Sequence, residues 1–185
     1  MKSKVFTYLS RAGLKPAEIM KVIDFGFMQA PASKGHHLAY AGGLARHSLN
    51  VTDRLVEYTH HFRVPWSHER SPYIVGMLHD LVKCKCYARD EKGYIVYRQP
   101  VWPGHGIASA MMVSFELGIR LERDEAAAIV HHMGAFGLAG KAMDEFDAAL
   151  SEFAPQIIAT HSADWYAARV DEAGDWSTER TGGEK

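Results

Sequence analysis

Imidazole and carboxylate side chains recur along this chain at near-even intervals: His47, the adjacent His79 and Asp80, His105, His132 and Asp164. The gaps of 32, 25, 27 and 32 residues each fit one helix plus one loop. Histidine nitrogen and carboxylate oxygen hold hard or borderline divalent cations, and helical bundles build such centres by aiming donors inward from several helices. A carboxylate in an apolar helical run is costly unless something balances it. Asp80 follows Ile74, Val75, Gly76, Met77 and Leu78 and precedes Leu81 and Val82. Asp164 falls on the stripe Ile157, His161, Asp164, Ala168, among Ala163, Trp165 and Ala167. A bound cation would account for both placements. His47 sits one turn after Leu44 and one turn before Val51, so it points inward too. His105 opens a helix between Gly104 and Gly106, where the backbone can approach a ligand closely. His131 and His132 point about 100° apart on a helix, so one of them faces the centre; we take His132, with His131 as the alternative.

Helical periodicity places these residues. The spacing predicts helices over 15–28, with Pro16 in the first turn, and over 44–62 and 72–83, the last nearly all apolar and therefore central. Further helices are expected at about 105–117, 123–134, 141–150 and 155–170, with a Pro-, Ser- and Gly-containing loop over 29–43. Residues 86–98 break the period: alternating flanks rich in Tyr, Ile and Val surround a Glu-Lys-Gly turn, the pattern of a small β-hairpin. The expectation is one all-α domain over 1–170 with a hairpin insertion, and a polar, frayed tail over 171–185.

Composition bounds the function. A chain of 185 residues with 47% hydrophobic and 23% charged content suits one globular domain with a real core. No apolar run approaches the roughly 20 residues that span a bilayer, and Met1 to Lys4 leads into mixed residues without a signal-peptide pattern. Cytoplasmic residence and no membrane partner are the expectations. The net charge of −1 gives no field to gather duplex DNA. Cys84 and Cys86 cannot complete a four-ligand zinc site, and His60, His61 and His68 read as surface residues.

The ordered pattern His47, His79-Asp80, Asp164 resembles the HD superfamily of metal-dependent phosphohydrolases, over about residues 29–168. His105 and His132 resemble the additional ligands of its binuclear branch, found in HD-GYP phosphodiesterases and HD-type diadenosine tetraphosphate hydrolases. The segments APASKGHHLAYAGGLARHSLNV (30–51) and MLHDLVK (77–83) are similar to the HD domain of bacterial 3′–5′ exonucleases, although the helices expected from the start leave no OB-fold to be expected within these residues and the GYP signature is missing. The resemblance implies an HD-domain helical bundle. It also implies one ion on His47, His79, Asp80 and Asp164 and a second on His105 and His132, with Asp80 bridging.

Two such ions would share a water whose pKa falls towards neutrality, giving a hydroxide nucleophile for phosphoester hydrolysis. Lys83, one turn beyond Asp80, would offset charge on the phosphoryl oxygens. His37, or its neighbour His36, would protonate the leaving group. Lys34, His36, His37 and Arg46, with Lys85, Arg89 and Arg98, would line an anion pocket, with His36, Arg46 and Lys83 touching substrate. Imidazole and carboxylate donors without thiolate favour Mn, Fe, Co, Ni or Zn. The substrate class is a phosphorylated small molecule, a nucleotide or a short single-stranded oligonucleotide. The rival readings are a di-iron oxygenase of the myo-inositol or phosphonate oxygenase type, and a non-catalytic nucleotide-sensing module. Oligomeric state stays open.

Overall fold

Apolar stripes at helical spacing become eight α-helices among the described residues of the computed structural model, which are 1–35, 37–89, 95–135 and 138–175. The fold is all-α with one small hairpin. In order the helices are α1 (Lys2–Arg11), α2 (Pro16–Asp24), α3 (Gly43–Phe62), α4 (Ser71–Leu78), α5 (Lys83–Cys86), α6 (His105–Met111), α7 (Arg123–Val130) and α8 (Lys141–Tyr166). Helix α1 precedes the first one expected from periodicity; its buried residues Val5 and Leu9 pack it against α4. Helix α2 carries Pro16 at its start, and the Lys15 amide donates to the Glu18 carboxylate (2.7 Å).

Helix α3, about 30 Å long at 1.5 Å per residue, is the axis of the molecule. One face buries Leu44, His47, Val51 and Leu55 against α4 and α8. Its contact with α4 is close because Gly76 has no side chain. A Cβ there would lie 2.5 Å from Thr52 Oγ1 and 2.8 Å from Thr52 Cα. Gly76→Ala is therefore expected to cost roughly 1–3 kcal/mol through overpacking, read as a lower denaturation midpoint. An unchanged midpoint would mean that α3 and α4 do not approach this closely.

Residues 72–83 do not form one helix. α4 stops at Leu78, the chain turns through 79–82, and the short α5 follows. The hairpin pairs β1 (Tyr87–Arg89) with β2 (Ile95–Tyr97) in antiparallel register, Tyr87 opposite Tyr97; its expected turn at 91–93 lies outside the described residues. Helix α6 runs on into a π-helical turn, Met112–Glu116. Helices expected at 141–150 and 155–170 are one element, α8, kinked at Phe153, where φ is −125°. Pro155 explains the kink, since its ring clashes with the preceding turn and its nitrogen donates no hydrogen bond. A second π turn, Ala167–Asp171, follows α8, then a 3₁₀ turn, Ala173–Asp175. No helix among the described residues is long and apolar enough to cross a membrane.

Candidate metal centre

Asp80 lies where a helix has ended, a position from which an aspartate ordinarily faces water. It does not: the residue is 3% exposed. The turn after α4, held by the Leu81 amide on Leu78 O (3.1 Å) and the Lys83 amide on Asp80 O (2.9 Å), folds Asp80 back beneath α3. It also places Lys83 Nζ 2.6 Å from Asp80 Oδ2.

Three imidazoles surround that carboxylate. His79 Nε2 is 3.4 Å from Asp80 Oδ2, His47 Nε2 is 3.8 Å from the same oxygen, and His132 Nε2 is 3.7 Å from Oδ1. Asp164, from α8, closes the other side, with Oδ1 3.0 Å from His47 Nε2 and 3.9 Å from His79 Nε2. The rings are aimed by their far nitrogens. His79 Nδ1 lies 2.9 Å from Gly76 O and His132 Nδ1 2.7 Å from Ile129 O. A carbonyl only accepts, so each ring carries its hydrogen on Nδ1 and, when neutral, turns a bare Nε2 lone pair inward.

His132 occupies that position because α7 ends at Val130, so the two histidines follow the helix rather than ride on it. His132 is fully buried, and α8 pins its backbone: His161 Nδ1 donates to His132 O at 2.8 Å. His131 turns the other way, onto the Phe146 ring (5.4 Å). Gly106 serves packing rather than ligand approach, since a Cβ there would meet Val130 O at 2.2 Å.

Charge in the cluster is set by proximity. Burial alone would raise Asp80 and Asp164. Lys83, His79 and His132 nonetheless hold Asp80 well below the usual carboxylate range, and the hydrogen bond and charge of His47 do the same for Asp164. Burial would lower His47, but its hydrogen bonds to Asp164 and Glu172 raise it to about 9. His132, buried without a hydrogen-bonded carboxylate, is pushed down to about 4. Three carboxylates, Asp80, Asp164 and Glu172, thus face the His47 imidazolium and the Lys83 ammonium, leaving one negative charge uncompensated. A divalent cation that displaces the His47 proton brings the group to neutrality.

The donor atoms fit such an ion. His79 Nε2, Asp80 Oδ1 and His132 Nε2 are buried with no hydrogen-bond partner, the costly condition that a Lewis acid removes. His79, Asp80 and His132 form one set of donors mutually within 4.8 Å; His47, His79 and Asp164 form a second, sharing His79; and His37, His47 and Glu172 form a third, sharing His47. These buried groups could hold a metal ion. Neither Cys84 nor Cys86 joins a donor set among the described residues; burial pushes the Cys84 thiol up to about 12.

The structure brings together five of the six expected ligands. His105 stands apart from all three donor sets. It opens α6 as expected, but its Nε2 faces Tyr97 Oη on β2 at 3.4 Å. Burial lowers its pKa, and the Asp80 charge opposes that. His37 lies beside His47, ring centroids 5.1 Å apart. Burial and the neighbouring His47 charge push its pKa down to about 4. Arg46 and Lys34 are on the exposed surface. Lys85 is paired with Glu116 and Arg98 is exposed, so neither is drawn towards the cluster. His36 and the Arg89 side chain lie outside what is described. His60, His61 and His68 are exposed.

Periodicity did not single out Glu172, which falls in the stretch expected to fray. It is fully buried, its carboxylate 3.0 and 3.2 Å from His47 Nδ1, and it accepts from Asn50 Nδ2 at 2.9 Å. One signal was present: His161, Asp164, Ala168 and Glu172 continue a single helical stripe. Residues 176–185 lie outside the described residues.

A cleft of about 790 Å³ lined by Arg11, His60, Trp66 and Tyr73 lies near the far end of α3, some ~20 Å from His47 along the helix. Its arginines already have partners, Arg11 with Tyr73 of the same cleft and Arg70 with Glu125. No protein-family model, no curated protein and no solved structure matches this chain.

Proposed function

We propose that this protein is a metal-dependent phosphohydrolase of the HD type, cleaving a phosphomonoester or phosphodiester of a nucleotide or short oligonucleotide. One observation carries the reading: Nε2 and carboxylate atoms converge from α3, α8 and the turns after α4 and α7, three of them (His79 Nε2, Asp80 Oδ1 and His132 Nε2) buried without a hydrogen-bond partner, with one ammonium beside them. His47, His79, Asp80, His132 and Asp164 would hold the cation, with His105 within reach of a second. Imidazole and carboxylate donors without thiolate suit Mn, Fe, Co, Ni or Zn. When bound, such ions supply Lewis acidity towards a phosphoryl oxygen and a water whose pKa falls towards neutrality.

The chain's own groups do the rest. Lys83 Nζ lies 2.6 Å from Asp80 Oδ2, where its ammonium would meet the growing negative charge on a phosphoryl oxygen. The backbone carbonyls of Gly76 and Ile129 hold the His79 and His132 rings in place, so that little reorganisation accompanies reaction. With two divalent ions the cluster becomes net positive, which favours an anionic substrate.

The test combines elemental analysis of the purified protein with a panel of nucleotides, dinucleoside polyphosphates and short oligonucleotides, each with Mn and with Fe. Phosphate or nucleotide release that chelation abolishes and metal restores is the expected result. Oxygen uptake by the iron-loaded protein without phosphoester cleavage would overturn it.

A further inference from the structure

We propose that Glu172 is a positioning residue for the metal centre: its carboxylate holds the His47 ring by Nδ1 so that Nε2 faces the ion, and it couples docking of the segment after α8 to metal binding. This rests on the metal-centre reading above. The three inward rings are not supported alike. His79 and His132 give Nδ1–H to backbone carbonyls within their own turns. His47 sits mid-helix on α3 and takes its Nδ1 partner from outside the helix. Glu172 supplies it from 125 residues away. A carboxylate behind a ligating imidazole fixes its tautomer and raises its basicity, and losing such a partner typically costs roughly 10–100-fold in metal affinity.

The placement of Glu172 is itself built. The π-helical turn Ala167–Asp171, a widened turn of the kind often found at functional sites, carries it onto α3, where its amide donates to Ala167 O (3.0 Å). Asn50 on α3 holds the carboxylate from one side, and His37 Nε2 lies 3.7 Å from its other oxygen. Next to it, Arg54 docks the same segment by two bonds to Asp171 (2.8 and 2.6 Å) without touching His47. The segment therefore has one anchor that passes through the ligand and one that does not. By reciprocity, if Glu172 strengthens metal binding, metal binding must strengthen docking of the segment.

The experiment titrates Mn(II) alone into wild type, Glu172→Gln, Glu172→Ala and Asp171→Asn, following free Mn(II) by its paramagnetic resonance. It also measures hydrogen exchange of peptides covering 167–175 with and without Mn(II). Glu172→Ala is expected to bind roughly 10–100-fold more weakly. Glu172→Gln, which keeps the volume and an accepting oxygen, should fall between that variant and wild type and serves if the alanine variant does not fold. Asp171→Asn should lose less than about threefold, because it leaves the His47 support intact. Mn(II) should slow exchange in 167–175 of wild type and not of the Glu172 variants. Glutamine and alanine variants within about twofold of wild type, or an Asp171→Asn loss equal to theirs, would overturn the role while leaving the metal centre standing. Wild type that takes up no Mn(II) would instead overturn the centre, and this role with it.

Discussion

Replacing Asp80 by alanine is expected to leave the purified protein without bound metal and without phosphoester hydrolysis. Asp80 touches more of the cluster than any other donor, within 3.8 Å of Nε2 on His47, His79 and His132. Partners that merely support a ligand are worth roughly 10–100-fold in affinity, and removing the shared carboxylate should exceed that. The same substitution has a separate effect on stability. It leaves the Lys83 ammonium, only 13% exposed, without its 2.6 Å partner. Breaking a buried pair costs about 3–5 kcal/mol, and the lower end applies here because the lysine can swing towards solvent. Combining Asp80→Ala with Lys83→Met should recover much of that stability and none of the metal. Elemental analysis, thermal denaturation and a hydrolysis assay on the two single variants and the double variant separate the effects. An alanine variant with full metal content and turnover would sink the scheme.

Much of this centre was legible because it consists of residues in the wrong company. The His79-Asp80 pair follows five residues that are apolar or glycine, Asp164 lies on a stripe that must face the core, and His47 keeps step with Leu44 and Val51; each is a cost that periodicity alone exposes. What periodicity cannot show is where a helix stops for tertiary reasons. Residues 72–83 read as one helix, yet α4 ends at Leu78, and that early stop turns Asp80 inward and sets Lys83 against it. The same applies to α7, whose end at Val130 decides between His131 and His132. His105 was singled out as well, but its place outside the donor sets depends on the hairpin, a long-range arrangement that local pattern does not encode, and Tyr97 of β2 meets its Nε2. Glu172 was hidden by its surroundings. Asp171, Glu172, Gly174 and Asp175 compose a polar stretch indistinguishable from a solvated tail, and only its contacts with His47 and Asn50 from α3 give it a role.

Lys83→Met should separate holding the metal from using it. The substitution keeps the length of the side chain and removes a positive charge 2.6 Å from a ligand oxygen, so metal content should match or exceed that of wild type. Asp80 then lacks a cation only in the metal-free protein, and the first ion bound supplies one. Turnover is another matter. A preorganised cation or donor aimed at charge that develops in the transition state is worth roughly 10²–10³ in kcat, and Lys83 is the ammonium beside Asp80. The expected result is a metal-replete variant whose kcat falls by about that factor, while KM, set mainly by contacts that do not strengthen in the transition state, moves much less. Burial lowers and Asp80 raises the lysine pKa, with the net shift upward. If instead metal content and kcat fell together, Lys83 would be holding the ligands in place, and the phosphoryl group would have to be met by other cations.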